Sequence, residues 1–246
     1  ERLTPGARPS TIPPWPTLAG FGTNRANVAS YIDDRPGEGI FRVRRAAFVE
    51  HDLFEAEIER IFHRTWNYLC HESQLKNRGD YVATTIGRRP VLVIRGLDGE
   101  IRCFHDSCPH RGWMLSRARQ GCALTITCRY HGWAFDADGK CVRVRGREGG
   151  YDTSALERMG IDLRPVARMA SYRGFVFACL EAGVEDLETF LGGARPFIDL
   201  MADQSADGME VLRGQSTYVM RANWKLQTEN STDGYHVSTV HRNFAH

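Results

Sequence analysis

No run of about 18 apolar residues occurs anywhere in the 246-residue chain, so no helix is expected to span a bilayer. No signal-peptide pattern opens it. Charge of one sign is scarce as well: 32 Lys and Arg face 30 Asp and Glu, for a net charge of +2. That balance announces neither a nucleic-acid face nor a membrane-surface binder. There is no internal repeat, which excludes a solenoid, and no low-complexity tract. The seven cysteines give no disulfide framework. Two fall in paired motifs, and Cys70, Cys103, Cys122, Cys141 and Cys179 remain, odd in number and irregular in spacing. Free thiols of this kind suit a reducing cytoplasm, the expected location. What is present is a hydrophobic fraction of 42%, enough for a real core.

Three segments are expected. Residues 1–39 are rich in Pro, Gly, Arg and Asn, and Ile12–Pro16 (I-P-P-W-P) cannot be helical. This reads as an extended arm, with Trp15 as a loosely packed residue or an anchor. Residues 40–165 open with a helix from Asp52. Asp52 and Glu55 suggest a capping box, and Leu53, Phe54, Ile58, Ile61, Phe62 and Trp66 fall mainly on one apolar face. Short β-rich stretches follow at Asp80–Ile86, Pro90–Arg95, Glu100–Phe104, Leu124–Cys128, Trp133–Phe135 and Lys140–Val144. L-D-G-E at Leu97–Glu100 and D-A-D-G at Asp136–Gly139 are turn signals. Residues 166–246 change texture: a buried strand at Gly174–Leu180, a helix from Glu185, a strand at Ser216–Met220 and a helix opening at Asn223. The basic run Arg143–Arg147 reads first as a solvated loop and second as a docking point for an acidic redox partner.

Chemistry enters with C-P-H-R-G at Cys108–Gly112 and C-R-Y-H-G-W at Cys128–Trp133. Each loop contributes one thiolate and one imidazole. A Rieske 2Fe–2S centre needs that donor set, with two Cys on one iron and two His on the other. Neutral imidazole in place of thiolate makes such a cluster easier to reduce. A structural zinc site is the competing reading. Three features argue against zinc. Each loop mixes Cys with His. Gly112 and Gly132 follow the histidines as a tight turn requires. Trp113 and Trp133 then supply apolar bulk to shield a cluster.

A second constellation lies in E-N-S-T-D-G-Y-H-V-S-T-V-H, Glu229–His241. His236 and His241, with Asp233 ahead of them, suit a non-haem Fe(II) site of two imidazoles and a carboxylate, with open positions for oxygen and substrate. Alone, the spacing is weak and a surface histidine pair explains it. Beside the Cys/His pair it gains weight.

On these motifs, with N-W-K at Asn223–Lys225, the chain resembles the large (alpha) subunit of Rieske non-haem iron aromatic-ring-hydroxylating dioxygenases. H-E-S-Q (His71–Gln74), Ala170–Phe177 and Asp203–Tyr218 make it most similar to the benzoate, toluate and anthranilate 1,2-dioxygenase branch. The resemblance implies an α+β fold: an all-β Rieske domain over 40–165, then the first part of a helix-grip catalytic domain over 166–246. It implies that Cys108, His110, Cys128 and His131 hold the cluster and that His236 and His241 hold mononuclear Fe(II). Asp233 would be the catalytic link, bridging a cluster histidine such as His131 of one subunit to an iron-ligand histidine of the next; a plain Asp-Gly turn is its alternative role. Asn230 and Tyr235 would support the site, and Glu229 would be a helix residue. The family's third iron ligand, a downstream Asp, has no counterpart here, and the chain reads as a C-terminally truncated fragment. Asp199, Asp203 and Asp207 are poor substitutes and are expected to be solvated.

The implied reaction is cis-dihydroxylation of a benzoate-type aromatic carboxylate by O2, with electrons from NADH through a separate reductase. The implied assembly is α3 or α3β3, with a small beta subunit. A salicylate-type Rieske monohydroxylase or demethylase, and a Rieske electron carrier, are the alternatives.

Overall fold

The computed structural model describes residues 28–243 apart from Arg213 and Gln215. The Ile12–Pro16 stretch and Trp15 lie outside the described residues. The chain divides into two compact units, Glu1–Glu50 with Ala222–His246, and His51–Arg221.

In the first unit, β1 (Ile32–Arg35) pairs antiparallel with β2 (Ile40–Val43), Ile32 opposite Val43 and Arg35 opposite Ile40. Pro36–Glu38 turns the chain between them. Gly39 closes the turn at φ 66°, its N–H donating to the Pro36 carbonyl at 3.1 Å. The end of the segment expected to be an extended arm is therefore a hairpin, because Pro-Gly-Glu-Gly supplies the turn chemistry. The helix Trp224–Thr232 starts where the sequence indicates: the Asn223 side chain accepts the Lys225 N–H at 3.0 Å. A short helix, Val237–Val240, follows.

The second unit contains β3 (Asn67–His71), β4 (Asp80–Ile86), β5 (Arg89–Arg95), β6 (Ile101–His105), β7 (Gln120–Cys122), β8 (Thr125–Thr127), β9 (Ala134–Asp136), β10 (Cys141–Arg143), β11 (Arg168–Tyr172) and β12 (Phe175–Cys179). They form three antiparallel sheets in the orders β6-β5-β4-β7, β10-β9-β8 and β11-β12-β3. The third sheet draws Arg168–Cys179 back against β3, so this unit runs past residue 165, where the texture of the sequence changes. With its helices, the molecule is of mixed α+β class.

The core is organised by β5. Side chains alternate across a strand, and here both faces are buried. Val91 and Val93 pack with Leu69, Leu75, Ile86, Cys103 and Val176. Leu92 and Ile94 face the other way, into a cluster that includes Cys108, Cys128, Trp133 and Phe135. All four β5 residues are at most 1% exposed. The Cys108 and Cys128 loops thus pack against a strand that is buried on both faces.

Two local expectations change. The helix expected from Asp52 spans His51–Glu57, after a short helix at Ala46–Val49, and widens into a π-type turn over Ile58–Phe62. Glu55 makes no capping contact; it accepts both guanidinium nitrogens of Arg88, at 2.6 and 3.0 Å, across to the β4–β5 turn. Ser216–Met220 is not a strand. It has no pairing partner among the described residues, and Tyr218 and Val219 are 86% and 93% exposed. Local β-propensity alone does not hold a strand without a neighbour to bond it.

Candidate metal centres

The first ligand loop leaves β6 and returns toward β7; the second joins β8 to β9. Both loops close with the same backbone bonds. The Cys108 N–H donates to the Trp113 carbonyl and the Gly112 N–H to the Cys108 carbonyl, each at 2.8 Å. In the second loop, Cys128 N–H to Trp133 O is 2.8 Å and Gly132 N–H to Cys128 O is 3.0 Å. Gly112 and Gly132 sit at φ 72° and 73°, the left-handed region that glycine enters without strain. The repeat of cysteine, turn, glycine and tryptophan in the sequence is a repeat of geometry.

The donors converge. Cys108 and Cys128 are each 2% exposed and share one core cluster. Burial pushes the Cys108 thiol up to about 11; the His110 backbone N–H opposes the shift and the adjoining Cys128 thiol adds to it. Two buried thiols side by side become thiolates when a cation takes the place of their protons. The His110 and His131 rings lie 4.5 Å apart. Burial lowers His110, with His131 and Arg111 pushing the same way, which favours the neutral imidazole that binds metal. The Nδ1 of His131 is buried and has no hydrogen-bond partner. Two buried thiols and two adjacent imidazoles, one with a buried and unpartnered ring nitrogen, fit a Rieske cluster. Each loop pairs one Cys with one His, the donor distribution of a Rieske cluster, whereas the common zinc finger places its two Cys in one arm and its two His in the other.

The two tryptophans divide their expected shielding role. Trp133 is 3% exposed and stacks on His110, with centroids 4.8 Å apart and planes at 2°. Trp113 is 48% exposed and lies 5.4 Å from the Tyr130 ring, itself 3.8 Å from His131. Trp113 and Tyr130 therefore form an aromatic rim in contact with solvent.

Asp106 is a site residue that the sequence reading missed. It is 2% exposed. Its Oδ1 accepts the N–H groups of Leu115 and Ser116, both at 2.9 Å, and its Oδ2 accepts the Ser116 hydroxyl. These bonds tie the two ends of the first ligand loop together. An Asp directly after an apolar strand, ahead of a Cys/His loop, was the available signal.

The second constellation lies in the other compact unit. His236 and His241 face each other with ring centroids 5.3 Å apart. Asp233 Oδ2 is 3.0 Å from His236 Nδ1, and Asp233 Oδ1 accepts the Tyr235 N–H at 2.7 Å. That backbone bond, then His236, holds the Asp233 carboxyl below the usual carboxylate range. Tyr235 is 93% exposed, and Asn230 and Glu229 are exposed on the preceding helix. Asp203 is exposed, as expected, and Asp199 is half-buried. Asp199 accepts the Tyr172 hydroxyl at 3.0 Å, and both carboxylates pair with Arg173. Asp207 is exposed.

Comparison with known proteins accords with this geometry. Residues 65–157 match the Rieske [2Fe-2S] domain, and residues 209–246 match the ring hydroxylating alpha subunit (catalytic domain). The chain is 48% identical to the toluate 1,2-dioxygenase alpha subunit of Pseudomonas putida over 89% of this chain and 48% of that one. It is 46% identical to the anthranilate 1,2-dioxygenase large subunit of Acinetobacter baylyi over 88% and 46%. It thus spans about half the length of the curated relatives it matches. Among solved structures, naphthalene 1,2-dioxygenase from Rhodococcus sp. superposes with a TM-score of 0.75 at 34% identity, over 82% of this chain and 46% of that one.

Proposed function

We propose that this chain is part of a Rieske-bearing ring-hydroxylating alpha subunit and works in an oxygenase that cis-dihydroxylates a benzoate-type aromatic carboxylate. The observation that carries this reading is the pair of matched loops holding two buried thiols and two facing imidazoles. Cys108 and Cys128 hold one iron of a 2Fe–2S cluster, His110 and His131 the other, and His236 and His241 hold a mononuclear Fe(II). When bound, the cluster supplies single electrons and the mononuclear iron supplies the oxygen chemistry.

The chain's own residues do the placing. Asp233 accepts a proton-bearing nitrogen of His236, which fixes that ring's tautomer and leaves Nε2 for metal. In an assembled ring of subunits the same carboxylate would reach His131 of a neighbour and join the two centres. Trp133 and the β5 face keep water from the thiols. The substrate class rests on names: the toluate and anthranilate relatives, at 48% and 46% identity, stand above the benzene 1,2-dioxygenase alpha subunit at 35%. Electrons would come from NADH through a separate reductase, in a cytoplasmic α3 or α3β3 assembly with a small beta subunit.

The test is turnover by a protein of the relatives' full length containing this chain, given a reductase, NADH and labelled O2. Benzoate, the toluates, anthranilate, 2-chlorobenzoate and salicylate are the substrates to offer. A product carrying both labelled atoms is expected. One inserted atom would make the protein a monohydroxylase. No product from a protein whose cluster reduces normally would leave an electron carrier.

A further inference from the structure

Two features of Trp133 have no place in the ligand set. Its ring stacks in parallel on the His110 imidazole at 4.8 Å, and Tyr151 meets both rings edge-on, at 6.0 Å from Trp133 and 6.3 Å from His110. Its indole Nε1–H is buried and finds no acceptor among the described residues. Buried donors in folded proteins are almost always satisfied, and leaving one unpaired is costly. The residue shares its core cluster with Cys108 and Cys128, and its carbonyl accepts the Cys128 N–H at 2.8 Å.

We propose that Trp133 is a positioning residue for the cluster, its ring face fixing the His110 imidazole and its indole N–H donating to a cluster sulfur. The proposal rests on the reading of these loops as a Rieske site. The physical consequence is a potential. Reduction adds negative charge to the cluster, and a donor to sulfur stabilises the more negative state more strongly. Trp133 therefore raises the reduction potential. Aromatic bulk alone would not have this effect, because it supplies no hydrogen to the sulfur.

The test uses the full chain with its cluster loaded. Trp133→Phe keeps an aromatic face over His110 and removes the N–H. It is expected to hold iron and sulfide as the parent does, with a lower midpoint potential. Trp133→Leu removes both functions and is expected to lower cluster retention as well. In the unsubstituted protein grown with 15N-indole tryptophan, the reduced cluster should show a 15N hyperfine coupling that Trp133→Phe abolishes. An unchanged potential in a fully loaded Trp133→Phe protein would overturn the proposal. Should that variant fail to load, the labelled parent decides: a coupling upholds the donor, and its absence overturns it. A parent chain that assembles no Rieske cluster would overturn the cluster reading itself, and this role with it.

Discussion

Replacing Asp106 by Ala would strip the acceptor from three buried donors, the Leu115 N–H, the Ser116 N–H and the Ser116 hydroxyl. Unsatisfied buried donors predict a loss of about 3 kcal/mol in folding stability, and the first ligand loop should release its iron more readily. Chemical denaturation and iron content of the loaded chain measure the two effects; a variant as stable and as iron-rich as the parent would contradict this role. Asp162 gives a pH prediction. Burial works to raise it, but hydrogen bonds from the Cys141 N–H at 2.8 Å and Lys140 Nζ at 2.9 Å outweigh burial and leave it lowered from 3.8. A carboxylate lowered in the folded state stabilises above its unfolded pKa and stops doing so as pH falls through the folded one. Stability should therefore fall below about pH 4, and Asp162→Asn should flatten part of that fall in acid denaturation curves. An unaltered acid limb would show that Asp162 contributes nothing to it.

At the scale of elements, the two ligand loops give the most direct test of backbone geometry. A Cβ at Gly132 would meet Arg145 Cδ at 3.5 Å, an ordinary contact, and one at Gly112 would find only Ser107 Oγ at 3.9 Å. Space is therefore no obstacle, and Gly112→Ala or Gly132→Ala should cost the left-handed backbone strain alone, about 1–2 kcal/mol. Thermal unfolding of each variant checks it, and a neutral result would mean that the turns relax. Leu92→Ala, on the face of β5 that packs with the cysteines, should cost about 3 kcal/mol by denaturation. These elements also show what was legible beforehand. The Cys, His and Gly spacing dictated the loops because each residue type has a local job. Most strands of the sheets were readable from β-branched runs between turn signals. Ser216–Met220 misled because pairing depends on a neighbour that local sequence does not specify. The hairpin at Ile32–Val43 was hidden because exposed strands carry no apolar alternation. Asp106 was missed because its position after an apolar strand is a weak signal and its partners, Leu115 and Ser116, lie across the ligand loop, nine and ten residues on.

At the scale of the whole molecule, the two metal motifs fall in different compact units and should differ in how firmly they hold iron. In the proposed function the loops at Cys108 and Cys128 bring two thiols and two imidazoles to one cluster. His236 and His241 offer two imidazoles, with Asp233 turned to hydrogen bonding with His236 and Tyr235. Dialysis of the loaded chain against a chelator should therefore remove mononuclear iron first and leave the cluster. Metal and acid-labile sulfide analysis after that dialysis, joined to the EPR spectrum of the dithionite-reduced chain, tests the central claim most directly. The account predicts about two irons and two sulfides per chain, as a 2Fe–2S centre requires, with a Rieske-type signal. A colourless chain holding zinc and no sulfide would contradict it.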